Sequence, residues 1–302
     1  MDREFFAQFL TETHFPAEAA DFLLGAYTTL LGEKGQQEAL EGAVETFYAH
    51  ELDLKLIEPL IGEMAEAAGL SPYTVWLLFL IGAARPAKEL YRDRGISEEV
   101  FWATFEDMKY KALECKAVHG VWGTFVAFWY PIFFSCDIVK LGRLEYETTV
   151  YDEDQPYEKG GIVLKKGDPI LSIHIPSSGE PFDEAARLAS YKLAYDFFRE
   201  ERKGGPLVCQ CGSWLLYPPY REILSPASNI VSFQGDFDIA FSQEEEKFHD
   251  AWRVFGADYE KPAAELPEKT SMQRAFKRWL VEGKKTGEGF GVLVFDGKRI
   301  VK

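Results

Sequence analysis

The sequence predicts an α+β protein in two parts, an N-terminal helical bundle followed by a mixed α/β region, with domains spanning 1–138 and 139–302. Three observations carry this reading. Helix-start signals recur through the first part, and apolar residues there follow helical spacing. After Asp137 the apolar residues instead alternate with polar ones, as in strands. Residues 169–217 then read as strand, helix and strand in succession, a βαβ unit whose two strands run parallel. At 302 residues the chain also exceeds the usual size of a single hydrophobic core.

In the first part, Phe15-Pro16 and Ser71-Pro72 place a proline at helix starts, and Ser97-Glu98-Glu99 places a capping serine before another helix. Phe101, Phe105 and Met108 recur at four-then-three spacing and give that helix one apolar face. Residues 52–68 and 72–84 read as two further helices. The uncharged run 117–136 holds Val121, Trp122, Phe125, Phe128, Trp129, Ile132, Phe133 and Phe134 and approaches membrane-spanning length. His119, two glycines and Pro131 interrupt it, so a buried core helix is the expectation and no membrane partner is assigned. His14 and His50 are isolated and read as helix-end groups.

In the second part, Leu141, Leu144, Tyr146 and Val150 mark the first strand region. Glu158-Lys159-Gly160-Gly161 turns the chain before Ile162, Val163 and Leu164, and Lys166-Gly167-Asp168 turns it again into residues 169–175. There Leu171, Ile173 and Ile175 alternate with Ser172 and His174, which sets His174 on the face opposite the apolar trio. A helix follows with Phe182, Ala186, Ala189, Leu193 and Phe197 on its apolar positions, stopped by Gly204-Gly205-Pro206, and a strand fills 207–217. Beyond it the pattern suggests a short helix at 220–224, a strand pair at 230–241, a helix at 243–255, a last helix at 270–282 and a hairpin at 290–301 turning on Asp296-Gly297.

Composition limits function. Hydrophobic residues at 47% and aromatics at 15% predict a chain folded almost throughout. The formal net charge of −16, from 49 acidic against 33 basic residues, argues against nucleic acid or an anionic membrane as partner, since polyanions need a cationic footprint. The charged start Met1-Asp2-Arg3-Glu4 lacks the pattern of a secretory signal, so a cytoplasmic chain with four reduced cysteines is expected.

Two places suit an anion. The loop from Ile175 to Phe182 joins the carboxyl end of a strand to the amino end of a helix, where free N–H groups and the helix dipole favour negative charge, although Glu180, Asp183 and Glu184 already stand there. Arg274, Lys277, Arg278, Lys284 and Lys285 form a local positive cluster beside Gly287, Gly289 and Gly291, and dipole compensation alone would also place cations there. His174 is the best candidate base, with a structural histidine as the alternative. Tyr217 and Tyr220 flank Pro218-Pro219 and could donate a proton or simply pack. Cys209 and Cys211 share one strand face and read as small core residues; no metal site is predicted.

Several strings together resemble a bacterial acyltransferase-type family with an N-terminal helical domain and a GNAT-like C-terminal domain. They are Leu141-Gly142-Arg143-Leu144-Glu145-Tyr146, His174-Ile175-Pro176, Gly212-Ser213-Trp214-Leu215-Leu216, Ser228-Asn229-Ile230, Trp252-Arg253-Val254-Phe255-Gly256, Leu266-Pro267, Gln273-Arg274-Ala275, Trp279-Leu280 and Gly287-Glu288-Gly289-Phe290-Gly291. The resemblance implies acyl-CoA or acetyl-CoA as co-substrate and transfer of its acyl group to a small-molecule or peptide amine. It implies His174, or a water that it orders, as the base and Tyr220 as the proton donor to the thiolate. Coenzyme A would lie on Ile175, Ser177, Ser178 and Gly179, with Arg274 and Lys284 as cations. The phosphate loop of that superfamily carries glycines two apart, whereas Pro176-Ser177-Ser178-Gly179-Glu180-Pro181 has one glycine and an added acid. The alternative is a non-catalytic GNAT-like protein that binds a ligand or peptide.

Overall fold

Residues 2–301 are described by a computed structural model of the chain. They divide into one unit up to Lys140 and a second from Leu141.

The first unit is built from α1 (Arg3–Glu12), α2 (Ala17–Gly32), α3 (Gln36–Ala49), α4 (Glu58–Ala68), α5 (Pro72–Asp93), α6 (Glu98–Phe105), α7 (Asp107–His119) and α8 (Pro131–Phe134). Its starts follow the local chemistry. Pro16 precedes α2, Ser71 and Pro72 open α5, and the Ser97 hydroxyl accepts from the Val100 N–H at the head of α6. Phe101, Phe105 and Met108 are buried, although Glu106 divides their stretch between α6 and α7. The central α5 is longer than expected from residues 72–84. It continues through Pro86 to Asp93, and the Tyr48 hydroxyl donates to the Ala83 carbonyl near the interruption that the proline makes in the helical ladder.

The uncharged run 117–136 is not the single core helix expected. Gly120, at φ 77°, ends α7, and Gly123 lies so close to the backbone of Tyr73 that a Cβ would fall 2.4 Å from its carbonyl carbon. A short 3-10 turn, Ala127–Trp129, and α8 complete the run, and Phe128 is 75% exposed. Among the described residues no single helix is long and apolar enough to cross a membrane.

The strands are β1 (Ile138–Leu141), where the chain passes from one unit to the next, β2 (Leu144–Val150), β3 (Tyr157–Lys159), β4 (Ile162–Leu164), β5 (Pro169–His174), β6 (Leu207–Ser213), β7 (Asp238–Glu245) and β8 (Thr286–Phe295). The helices among them are α9 (Glu184–Phe197), α10 (Asn229–Asp236), α11 (Ala251–Phe255) and α12 (Ser271–Val281). The main sheet has the order β1-β2-β5-β6-β8-β7, and β3 with β4 forms a separate hairpin. As the βαβ reading requires, β5 and β6 are parallel; β2 pairs antiparallel with β5, and β8 antiparallel with β6 and β7.

Register sorts the sheet's side chains into two faces. Tyr146, Ile173, Leu171, Cys209, Leu293 and Phe295 share one face, and Tyr191 of α9 packs its ring 6.1 Å from Phe295 there. Ile170, Val208, Phe290, Val292 and Val294 share the other face, where Tyr151, Tyr157 and Leu164 cover them.

Three expectations need correction. Residues 230–241 are not a strand pair: the Ser228 hydroxyl accepts from the Ile230 N–H and starts α10, so only β7 follows. Residues 243–255 are not one helix, because β7 runs on to Glu245 and only α11 is helical. The strand from Leu207 stops at Ser213, where the serine hydroxyl accepts from the Leu215 N–H and a 3-10 turn begins. In contrast, α12 begins on a capping box formed by Thr270 and Gln273, and the Asp296-Gly297 turn returns Val301 N–H to the Val294 carbonyl at 2.8 Å.

Candidate active site

The parallel pair β5 and β6 is joined at only two register positions, Leu171 with Cys209 and Ser172 with Gln210. Past that point each strand continues with a different neighbour. Ile173 and His174 stay paired to Tyr146 and Glu145 of β2, while Cys211, Gly212 and Ser213 stay paired to Gly291, Phe290 and Gly289 of β8. The ladder between them therefore ends while both strands go on, and their facing edges open at the carboxyl end of β5.

His174 stands at this opening, on the face opposite Leu171 and Ile173 as the alternation predicts. Its Nε2 lies 2.7 Å from Oε2 of Glu147, with the two side chains about a quarter exposed. Glu145, directly opposite His174 in register, is buried. The imidazole thus has a carboxylate to fix its orientation and to stabilise a positive charge upon it. On β6, Gln210 faces the same side. Its Oε1 is buried and has no hydrogen-bond partner, and Gly212 beyond it is exposed.

The loop after β5 is held from below. Arg143 donates from Nη1 to the Pro176 carbonyl at 2.9 Å, and its guanidinium lies 5.0 Å from the Phe182 ring. Gly179 takes φ 73°, and the Ser178 hydroxyl accepts from the Glu180 N–H. Ile175 and Ser178 are half-buried and Ser177 is exposed. The Asp183 side chain caps α9 by accepting from the Ala186 N–H, so this helix end already has a carboxylate on one of its free donors. Below the loop, fully buried Arg187 donates to both oxygens of Asp236, to Ser232 and to the Phe182 carbonyl.

The other candidate residues belong to the elements that follow β6. Tyr220 is fully buried in a cluster with Tyr217, Val254, Phe255, Leu266 and Phe276. Its hydroxyl exchanges hydrogen bonds with the Gly287 backbone, and burial pushes the phenol well above its ordinary pKa, which makes it a weaker acid. The phenol is thus neutral and held to the Gly287 backbone. The expected basic cluster is also largely neutralised: Lys277 pairs with Glu268, Lys284 with Glu222 and Glu282, and Lys285 with Glu246. Arg274 donates to the Glu268 and Lys269 carbonyls before its own helix. Gly287, Gly289 and Gly291 allow close packing of the chain, since a Cβ at each would fall 2.2, 2.3 and 2.8 Å from Gln243, Leu216 and Phe237.

Cys209 and Cys211 are buried, and burial pushes the Cys211 thiol up to about 12, as befits core residues. Among the described residues no group of His, Cys, Asp and Glu could hold a metal ion. Glu147 and Gln210 escaped the sequence reading, and Arg143 entered it only as part of a string that carries the resemblance. The available signal was the alternation of Glu145, Glu147 and Thr149, but only the pairing of β2 with β5 brings Glu147 to His174.

The family described as GNAT-like C-terminal domain matches residues 138–293. The chain belongs to that family. The N-acyltransferase N-terminal domain matches residues 4–136, so the helical part before the GNAT-like domain also has its counterpart. A comparison with curated proteins finds no match. Among solved structures, a mutant acyltransferase in complex with octanoyl-CoA is similar at 22% identity and TM-score 0.73, over 95% of this chain and 86% of that one. Two acyltransferase structures at 20% identity, one with decanoyl-CoA and teicoplanin and one with CoA and 10C-teicoplanin, give TM-scores of 0.70 and 0.71 over the same shares. At that identity the likeness establishes the fold of the GNAT-like domain and of the helices before it.

Proposed function

We propose that this protein is an acyl-CoA-dependent N-acyltransferase that acts on a small-molecule or peptide amine. The observation that carries the reading is the parting of β5 from β6 after Ser172 and Gln210, with the His174–Glu147 pair at the mouth. Two strand edges that continue without a shared ladder offer backbone N–H and C=O groups to an extended amide-bearing chain, the chemistry of the coenzyme A arm. The acyl-CoA ligands of the similar acyltransferases support the same reading.

On this reading the amine nitrogen attacks the thioester carbonyl carbon and His174 takes the N–H proton, with Glu147 stabilising the resulting imidazolium. The C–N bond forms, the C–S bond breaks, and the leaving thiolate takes up a proton from the His174 imidazolium to free coenzyme A. The loop N–H groups of Ile175, Ser177 and Gly179, with Arg143 beneath, form the anion seat. Glu180, Asp183 and Glu184 oppose it and favour modest affinity.

The test is thiol release from decanoyl-CoA with a panel of primary amines that includes teicoplanin and spermidine, with the amide product identified by mass. His174→Ala should lower kcat about 10²–10⁴-fold, the range for a lost general base, and leave acyl-CoA binding in place. Unchanged turnover in that variant removes His174 from the mechanism.

A further inference from the structure

We infer that Gln210 seats the acceptor and makes the site selective for primary over secondary amines; the inference rests on the acyltransferase reading above. The Gln210 Oε1 is shielded from solvent and lacks a hydrogen-bond partner, so it holds unused acceptor capacity at a place where such capacity is costly to leave unfilled. It belongs to the last residue pair that still joins β5 to β6, Ser172 with Gln210. His174 lies two residues further along β5 on the same face, about 7 Å along the strand. Exposed Gly212, two residues beyond Gln210 on β6, leaves this edge without a side chain. The orphan oxygen and the imidazole thus flank one opening from opposite strands.

A primary amine has two N–H bonds, and the two walls use both. One hydrogen bond is given to His174, which takes that proton as the C–N bond forms. The other is given to Gln210 Oε1, which only accepts and takes no proton. It turns the nitrogen lone pair toward the thioester. A secondary amine has a single N–H. Once this points at His174, Gln210 Oε1 stays unsatisfied, and a polar group left unpaired in a binding site discriminates strongly against the ligand that leaves it so.

The experiment compares a primary amine substrate with its N-methyl derivative, decanoyl-CoA being the donor, in the wild-type chain, Gln210→Leu and Gln210→Glu. Wild type should prefer the primary amine by about tenfold or more in kcat/KM, the loss of one such hydrogen bond. Gln210→Leu should bring that ratio close to one, raise the KM for the primary amine and leave the KM for decanoyl-CoA within about twofold. Gln210→Glu, which keeps an acceptor oxygen, should restore the preference. Because Gln210→Leu removes an unpaired buried polar atom, its unfolding midpoint should equal or exceed that of wild type, whereas a structural glutamine would lower it. Gln210→Met serves as a second apolar variant for the same readouts.

An active chain whose amine preference ignores Gln210, or a rise in the decanoyl-CoA KM instead, overturns this inference alone, the latter by giving the oxygen to an amide of the coenzyme A arm. A fall in the midpoint of both apolar variants overturns it as well. A wild-type chain with no transfer to any amine overturns the acyltransferase reading and this inference with it.

Discussion

Replacing Arg187 by leucine tests what holds the β5–α9 loop in place. The guanidinium has no exposed surface and makes four hydrogen bonds: 2.6 and 3.3 Å to the two oxygens of Asp236, 2.8 Å to Ser232 and 3.0 Å to the Phe182 carbonyl. It also lies between the rings of Phe182 and Phe233, 5.4 and 5.8 Å away. Without it the nearly buried Asp236 carboxylate keeps the Tyr191 hydroxyl at 2.9 Å but loses its counter-charge. Breaking a buried pair from one side costs about 3–5 kcal/mol, because the remaining charge stays desolvated. At about 2–4 °C per kcal/mol for a unit of this size, Arg187→Leu should lower the unfolding midpoint by about 6–20 °C in scanning calorimetry. The double variant Arg187→Leu with Asp236→Leu should recover most of the loss, since neither charge is then stranded. A shift under about 3 °C for the single variant, or a double variant as unstable as the sum of both singles, refutes the reasoning.

Other outcomes follow from individual groups. Burial raises the Glu106 carboxyl, but hydrogen bonds from Lys109 and Tyr110 and the charges of Lys109 and Lys140 outweigh it and bring it down to about 2. A depressed carboxyl contributes stability above its unfolded pKa and loses it as pH falls through the folded value. Midpoints should therefore fall between about pH 4.5 and pH 2 in wild type and change less over that window in Glu106→Gln; identical pH profiles contradict the assignment. All four cysteines are buried, and burial pushes Cys115 and Cys211 up to about 12 and Cys136 up to about 11. Native protein should resist iodoacetamide at pH 8 and take up four labels in denaturant, and rapid native labelling would count against this core. Tyr220→Phe should leave kcat unchanged and cost about 1 kcal/mol for the lost Gly287 contact; a large fall in kcat would instead support Tyr220 as the proton donor.

Local signals made much of the fold legible. Ser97, Pro16 and Pro72 sit at helix starts because their requirements are met within one turn, and the Lys166-Gly167-Asp168 and Asp296-Gly297 turns follow from residues that tolerate tight backbone. The misread segments depend on distant contacts. Gly123 reads as a break only once the Tyr73 backbone lies against it, and residues 243–245 become strand because β8 pairs with them, Gly287 admitting the close approach of the Gln243 carbonyl. The site divides in the same way. Alternation along β5 sets the face of His174, but its partner Glu147 and the orphan oxygen of Gln210 come from strands whose register with β5 no local pattern encodes. The partners of the basic cluster around α12 were hidden for a related reason: Glu222, Glu246 and Glu268, which pair with its lysines, are brought in by the fold.

The central claim is that the opening between β5 and β6 receives an acyl-CoA. Its most direct measurement is the unfolding midpoint of the intact chain titrated with decanoyl-CoA and, separately, with coenzyme A. Specific binding stabilises by RT ln(1 + [L]/Kd), about 2.7 kcal/mol at a hundredfold excess over Kd, so the midpoint should climb with the logarithm of decanoyl-CoA concentration. His174→Ala should follow the same curve. A midpoint that stays flat up to millimolar decanoyl-CoA would contradict the account.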